Sequence, residues 1–145
     1  MAHQKGSTVD LLIGYESTFG TAASAGFTMQ VNSFGVKATQ AKNTPATLTG
    51  TRNPASPFDG NVALAGPIVV PIDSGIMPYW CTAMFGDPTS TGSDPYVHEF
   101  KIGDTMPSFT LETAFTDLDT SKYNQFVGCK VSAFSLTAGG DGEFT

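Results

Sequence analysis

The sequence predicts a mainly β protein: an antiparallel β-sandwich or barrel with one flanking short α-helix and a long extended loop. Three observations carry this reading. Apolar residues recur with a period of two in several short runs, the signature of half-buried strands. Sixteen Gly and nine Pro punctuate 145 residues, as short strands joined by turns require. One apolar run, Ile76–Phe85, instead follows a helical stripe. A chain of this length buries ~68–70% of its unfolded surface, so one domain spanning residues 1–145 is expected without staples.

The first strand is expected at Val9–Ile13, where Val9, Leu11 and Ile13 share one parity. The following G-Y-E-S-T-F-G-T-A-A-S is small, polar and turn-prone, and reads as a surface loop. Phe27, Met29 and Val31 restore the period of two, with Phe34 and Val36 near the end of that second strand. From Lys37 to Asn61 the pattern disappears. Thr-Pro, Asn-Pro and Ser-Pro pairs there push their first residues to extended geometry. A connection this long is either a floppy loop or an arm ordered by a neighbouring subunit. In the second case Arg52, Asn53, Pro54, Pro57 and Phe58 form the assembly arm, with Phe58 as its apolar anchor.

Val62, Leu64, Ile68, Val70 and Ile72 then share one parity, so a third strand is expected to bury that face. Pro67 and Pro71 lie on the other parity and remove donors from one side, which marks an edge strand. In the helix, Asp73 or Ser74 is placed to cap the start, Pro78 fits the first turn, and Gly86 ends it. Three more strands are expected at Tyr96–Ile102, Ser108–Thr116 and Phe126–Thr137. The last slips phase near Ala133, which predicts a bulge there. The chain stops at G-G-D-G-E-F-T, a turn with barely the start of another strand, as in a truncated chain.

Composition excludes several function classes. The net charge is −6 and charged residues make up only 14% of the chain, so no basic stripe is available to neutralise phosphates. Met1–Thr8 lacks the apolar core of a signal peptide, and the Ile76–Phe85 run is too short to span a bilayer. The reading is therefore a soluble, cytoplasmically made protein with no membrane insertion. Cys81 and Cys129 have no metal-ligand spacing and read as buried free thiols rather than a disulfide.

Chemical motifs fare poorly. Gly139–Phe144 resembles a GGDEF signature but carries an extra Gly142 that moves the acid out of register, so a hairpin turn is the better reading. Asp117 and Asp119 open a loop whose later positions, Ser121, Lys122 and Gly128, do not fit an EF-hand. His98 shares a face with Tyr96 and Phe100 and reads as a packed strand histidine, since no nucleophile motif accompanies it. No catalytic residue, cofactor site or metal site is expected, and the chain is not expected to be an enzyme. An enzyme or small-ligand domain using His98 and nearby acids is the remaining alternative in that class.

The order of features carries a family resemblance. L-L-I-G-Y-E-S-T-F-G-T-A-A-S resembles the amino-terminal E-x-T-x-G-T segment of phage tail tube proteins, with Glu16, Thr18, Gly20 and Thr21 matching. T-G-T-R-N-P-A-S-P-F-D-G-N is similar to that family's loop before the third strand. The helix ending F-G-D-P and the strands P-S-F-T-L-E-T-A-F-T-D and G-C-K-V-S-A-F-S-L-T extend the likeness over nearly the whole chain.

This resemblance implies a structural virion protein that self-assembles into stacked rings. The rings would form the tail tube of a contractile or non-contractile tail, a conduit for DNA ejection. Its partners would be copies of itself, other phage tail proteins and DNA passing through the lumen without specific binding. It would be synthesised in the bacterial host cytoplasm and end in the virion tail. Members of this subfamily are usually considerably longer, which leaves ring stoichiometry open. A tail terminator, a capsid decoration protein or a type VI secretion tube-like protein is the alternative.

An acidic subunit also suits a conduit. At ~10 Å one carboxylate repels one phosphate by only a few tenths of a kcal/mol, but many around a channel keep DNA from sticking. Asp104, Glu112, Asp117 and Asp119 are candidates for the lumen face.

Overall fold

The computed structural model describes residue 3, residues 5–24 and residues 26–137. In chain order its strands and helix are β1 (Val9–Tyr15), β2 (Phe27–Met29), β3 (Ser33–Phe34), β4 (Lys37–Asn43), β5 (Phe58–Ala65), β6 (Ile68–Val69), α1 (Met77–Phe85), β7 (Thr89–Thr91), β8 (Val97–Glu99), β9 (Phe109–Phe115) and β10 (Lys122–Cys129). The fold is mainly β, as the alternation predicts. All strand pairs are antiparallel, and no barrel closes among the described residues. The chain divides into two compact units, one made of 1–31 and 70–145 and the other of 32–69.

The first unit is organised by a four-stranded sheet of order β10-β9-β1-β2. Leu11 faces Met29 on one neighbour and Thr113 on the other, and Ile13 faces Phe27 and Leu111. This parity builds the core: Leu11, Ile13 and Leu111 are each 2% exposed and Phe109 3%. Helix α1 covers that face. Tyr79 stacks on Phe27 with ring centroids 4.2 Å apart, and Trp80 meets Phe109 edge-on at 6.1 Å, arrangements aromatic quadrupoles favour. The Tyr15 hydroxyl donates to the Tyr79 carbonyl, and burial pushes its phenol up to about 12.

The helix begins later than its expected cap. Ile76 occupies the cap position and no side chain caps it; Asp73 contributes its backbone carbonyl to the Ile76 and Met77 amides instead. Pro78 sits in the first turn, where its missing N–H costs nothing. Gly86 ends the helix at φ 90° and donates its amide to Thr82 O at 2.8 Å.

Several strands differ from expectation. The strand expected over Tyr96–Ile102 is reduced to β8, paired with β7 in a short hairpin. The last strand starts earlier, at Lys122, and ends at Cys129. Its irregularity falls between Phe126 and Cys129 rather than at Ala133, because Gly128 takes φ 72° there. The GGDEF-like 139–144 stretch lies outside the described residues. Cys81 and Cys129 are both free and half-buried, and burial raises both thiols.

The second unit is a hairpin where the sequence offered a patternless arm. Lys37–Asn43 pairs with Phe58–Ala65, so only 44–57 is left as its tip. Strands β3 and β6 continue the same hairpin below it in the same register: Ser33 faces Val69, Phe34 faces Ile68, Lys37 faces Ala65 and Ala38 faces Leu64. Between the two ladders lies a break at Gly35-Val36 and Gly66-Pro67. Gly35 donates its amide to Pro67 O at 2.8 Å, but Pro67 has no N–H with which to complete the pair. A Cβ on Gly66 would sit 2.1 Å from Gly35 O, so the two backbones cross where only glycine fits.

The long third strand expected across 62–72 is thus split by its own Gly66-Pro67. The donor that Pro67 lacks would have faced its partner strand, so this proline opens the ladder from within rather than blanking an outer side. Pro71 lies two residues past β6 and belongs to the other unit.

Candidate assembly site

Two regions carry the residues of interest, one in each unit. In the hairpin, all seven residues of β4 are exposed and seven of the eight in β5. Phe58 is 56% exposed and Val62 62%, while Leu48 at the tip is 98% exposed. Apolar side chains this open gain little by burial within the chain.

The tip nevertheless has a defined turn. Thr49 Oγ1 donates to Asn53 O at 2.8 Å and Thr51 Oγ1 to the same carbonyl at 3.3 Å, and Gly50 takes φ 68°. Arg52 and Asn53 are brought together in this turn. Pro54 and Pro57 follow in the exposed connection, and Phe58 opens β5 opposite Asn43. Lys42 and Asp59, also opposite each other, form an exposed ion pair at 3.5 Å.

The first unit holds a polar hub whose role the sequence did not announce. Glu16 follows β1, and its carboxylate receives four hydrogen bonds. The Gly20 amide donates to Oε2 at 2.9 Å and the Ser108 hydroxyl to Oε2 at 2.8 Å. The Thr110 hydroxyl and the Gly128 amide donate to Oε1 at 2.8 and 2.7 Å.

One side chain therefore ties the loop after β1 to β9 and β10. Burial pushes the carboxyl up, but the four donors outweigh it and hold Glu16 below the ordinary carboxylate range. Gly20 can close back on Glu16 because it takes φ 77°, and the Thr21 amide completes the turn on Thr18 O at 3.0 Å. The four residues Glu16, Thr18, Gly20 and Thr21 are thus one local device. A carboxylate four residues before a glycine in a turn-prone loop was the available signal.

His98 is exposed rather than packed. It stacks against Tyr96 and its Nδ1 lies 2.7 Å from Ser90 Oγ. Asp117 accepts from the Thr8 hydroxyl, and Gln125 Nε2 donates to Glu112 at 3.1 Å. Beside that pair lies a hollow of about 150 Å³, bounded by Leu12, Gly14 and Thr110. It is smaller and more polar than most small-molecule pockets. No group of three or more His, Cys, Asp or Glu able to hold a metal occurs among the described residues. No described helix is long and apolar enough to cross a membrane.

A mainly β fold, a carboxylate committed to tying three segments together and an exposed hairpin describe a structural module. The family model of phage tail tube proteins matches residues 6–145, and the chain belongs to that family. A search of curated proteins finds no match.

Proposed function

We propose that this chain is the repeating subunit of a phage tail tube, closing into rings that stack around a channel for DNA. The observation that carries the proposal is the family match over 6–145, joined to an exposed hairpin at the position the sequence marks as an assembly arm. The sheet order leaves β10 and β2 on its two outer sides, and pairing of such open strands between neighbours is the simplest way to close a ring. Permanent interfaces of this kind commonly bury ~2,000 Å² or more.

The arm at 37–61, with Arg52, Asn53, Pro54, Pro57 and Phe58, then supplies the contact between rings. Any tip residues that order on assembly lose their entropy at that step. The acidic remainder of the chain suits a lumen past which DNA moves without adhering.

The test is electron microscopy of the purified chain and of a variant lacking Ala46–Ser56. Tubes from the intact chain, and folded protein without tubes from the deletion, are the expected results. Tubes from both would remove the arm from the inter-ring contact. Single rings that never stack would favour a terminator over a tube subunit, and an intact chain that stays monomeric at high concentration would end the proposal.

A further inference from the structure

The two units carry opposite charge. Residues 32–69 hold three of the chain's seven Lys and Arg (Lys37, Lys42 and Arg52) but only one of its thirteen Asp and Glu, Asp59, for a net of +2. With the whole chain at −6, the remaining residues carry −8. Asp59 already pairs with Lys42, so Lys37 and Arg52 supply the excess. Both are exposed, one at the base of β4 and one in the tip turn. The apolar side chains of Phe58, Val62 and Leu64 are open on the intervening ladder. A cationic, partly apolar hairpin and an acidic body on one chain complement each other between copies.

We infer that the 32–69 hairpin docks on the acidic surface of a second copy's 1–31/70–145 unit, with Lys37 and Arg52 setting its orientation. This rests on the tube reading and adds to it the chemistry of the contact. Head-to-tail docking of one surface on a different one leaves a free hairpin and a free acceptor at the ends, so it propagates rather than stopping at a pair. The charges also make the contact depend on salt, since the screening length falls from ~10 Å at 0.1 M to ~3 Å at 1 M.

The experiment is sedimentation of the full chain at these two salt concentrations, beside the double reversal Lys37→Glu/Arg52→Glu and the milder Lys37→Ala/Arg52→Ala. Both variants leave the Lys42–Asp59 pair in place, and circular dichroism checks that they fold. The expected result is self-association of the parent chain that is about tenfold weaker in high salt. At low salt the reversal should be weakened at least as much, with the alanine variant between.

Association indifferent to salt and to both variants would overturn the docking while leaving the tube reading intact. A parent chain that never associates would overturn both. A gel shift with duplex DNA adds one arm: DNA binding lost in the reversal, without self-association, would show that the hairpin's partner is nucleic acid and end the inference.

Discussion

In β1, Leu11 and Ile13 are each 2% exposed, whereas in β4 every residue is exposed. Both strands make antiparallel ladders, so hydrogen bonding alone does not separate them. The sheet of the first unit is held by apolar burial against α1 and by the Glu16 hub. The hairpin of the second unit has a ladder, an ion pair and a tip turn, but little burial. A two-stranded ribbon without a covered face is marginal in water. One unit is thus complete as a folded body with its own core, while the other presents apolar side chains that its own ladder leaves exposed.

The largest expected effect lies in the buried core of the first unit. Leu11→Ala should cost about 3 kcal/mol in urea unfolding, the usual loss for a fully buried leucine. A loss below about 1 kcal/mol would mean that this sheet is not the stabilising core. Next, Glu16→Ala should cost about 2 kcal/mol, because it strips one acceptor from four donors.

The same residue gives a pH signature. Its folded-state carboxyl lies below the ordinary value, so its stabilisation is fully present above the unfolded value of ~4.3. It is lost as pH falls through the lowered folded value. Below about pH 4.3 the parent chain should therefore lose stability more steeply than Glu16→Ala; parallel curves would refute the hub.

Gly66→Ala sharpens the weak end. Its Cβ would overlap the Gly35 backbone, so amide protection in β4 and β5 should collapse while the unfolding midpoint of the first unit stays in place. Loss of both together, by hydrogen exchange, would show a single cooperative structure. The smallest effect belongs to Phe58→Ser, within about 0.5 kcal/mol for the unassembled chain. A larger loss would mean that Phe58 is already packed at home.

Much of the first unit was legible. Alternation at Val9–Ile13 and Phe109–Phe115 located the central strands, and Pro78 with Gly86 bracketed the helix. The hairpin was not legible, for a physical reason. Lys37–Asn43, K-A-T-Q-A-K-N, has no buried face, so no hydrophobic period exists to be read.

The run from Val62 to Ile72 does have a period, yet Gly66-Pro67 cuts it where two backbones cross. Parity within one segment cannot reveal a crossing partner thirty residues away. The Glu16 hub was half visible. E-S-T-F-G-T marked the position, but Ser108, Thr110 and Gly128 are distant in sequence and met only in the fold.

The base of the hairpin has a further consequence. Asn32 donates its amide to Val69 O at 2.8 Å, so the insertion leaves and rejoins the chain one ladder rung apart. The rest of the protein therefore experiences 32–69 as a fixed short span whatever the length above it, and doubling a loop adds only ~0.6 kcal/mol of closure cost. Hairpin length should therefore weigh little on the stability of the body. Extending the tip by ten residues should shift the body's melting midpoint no more than a surface substitution does.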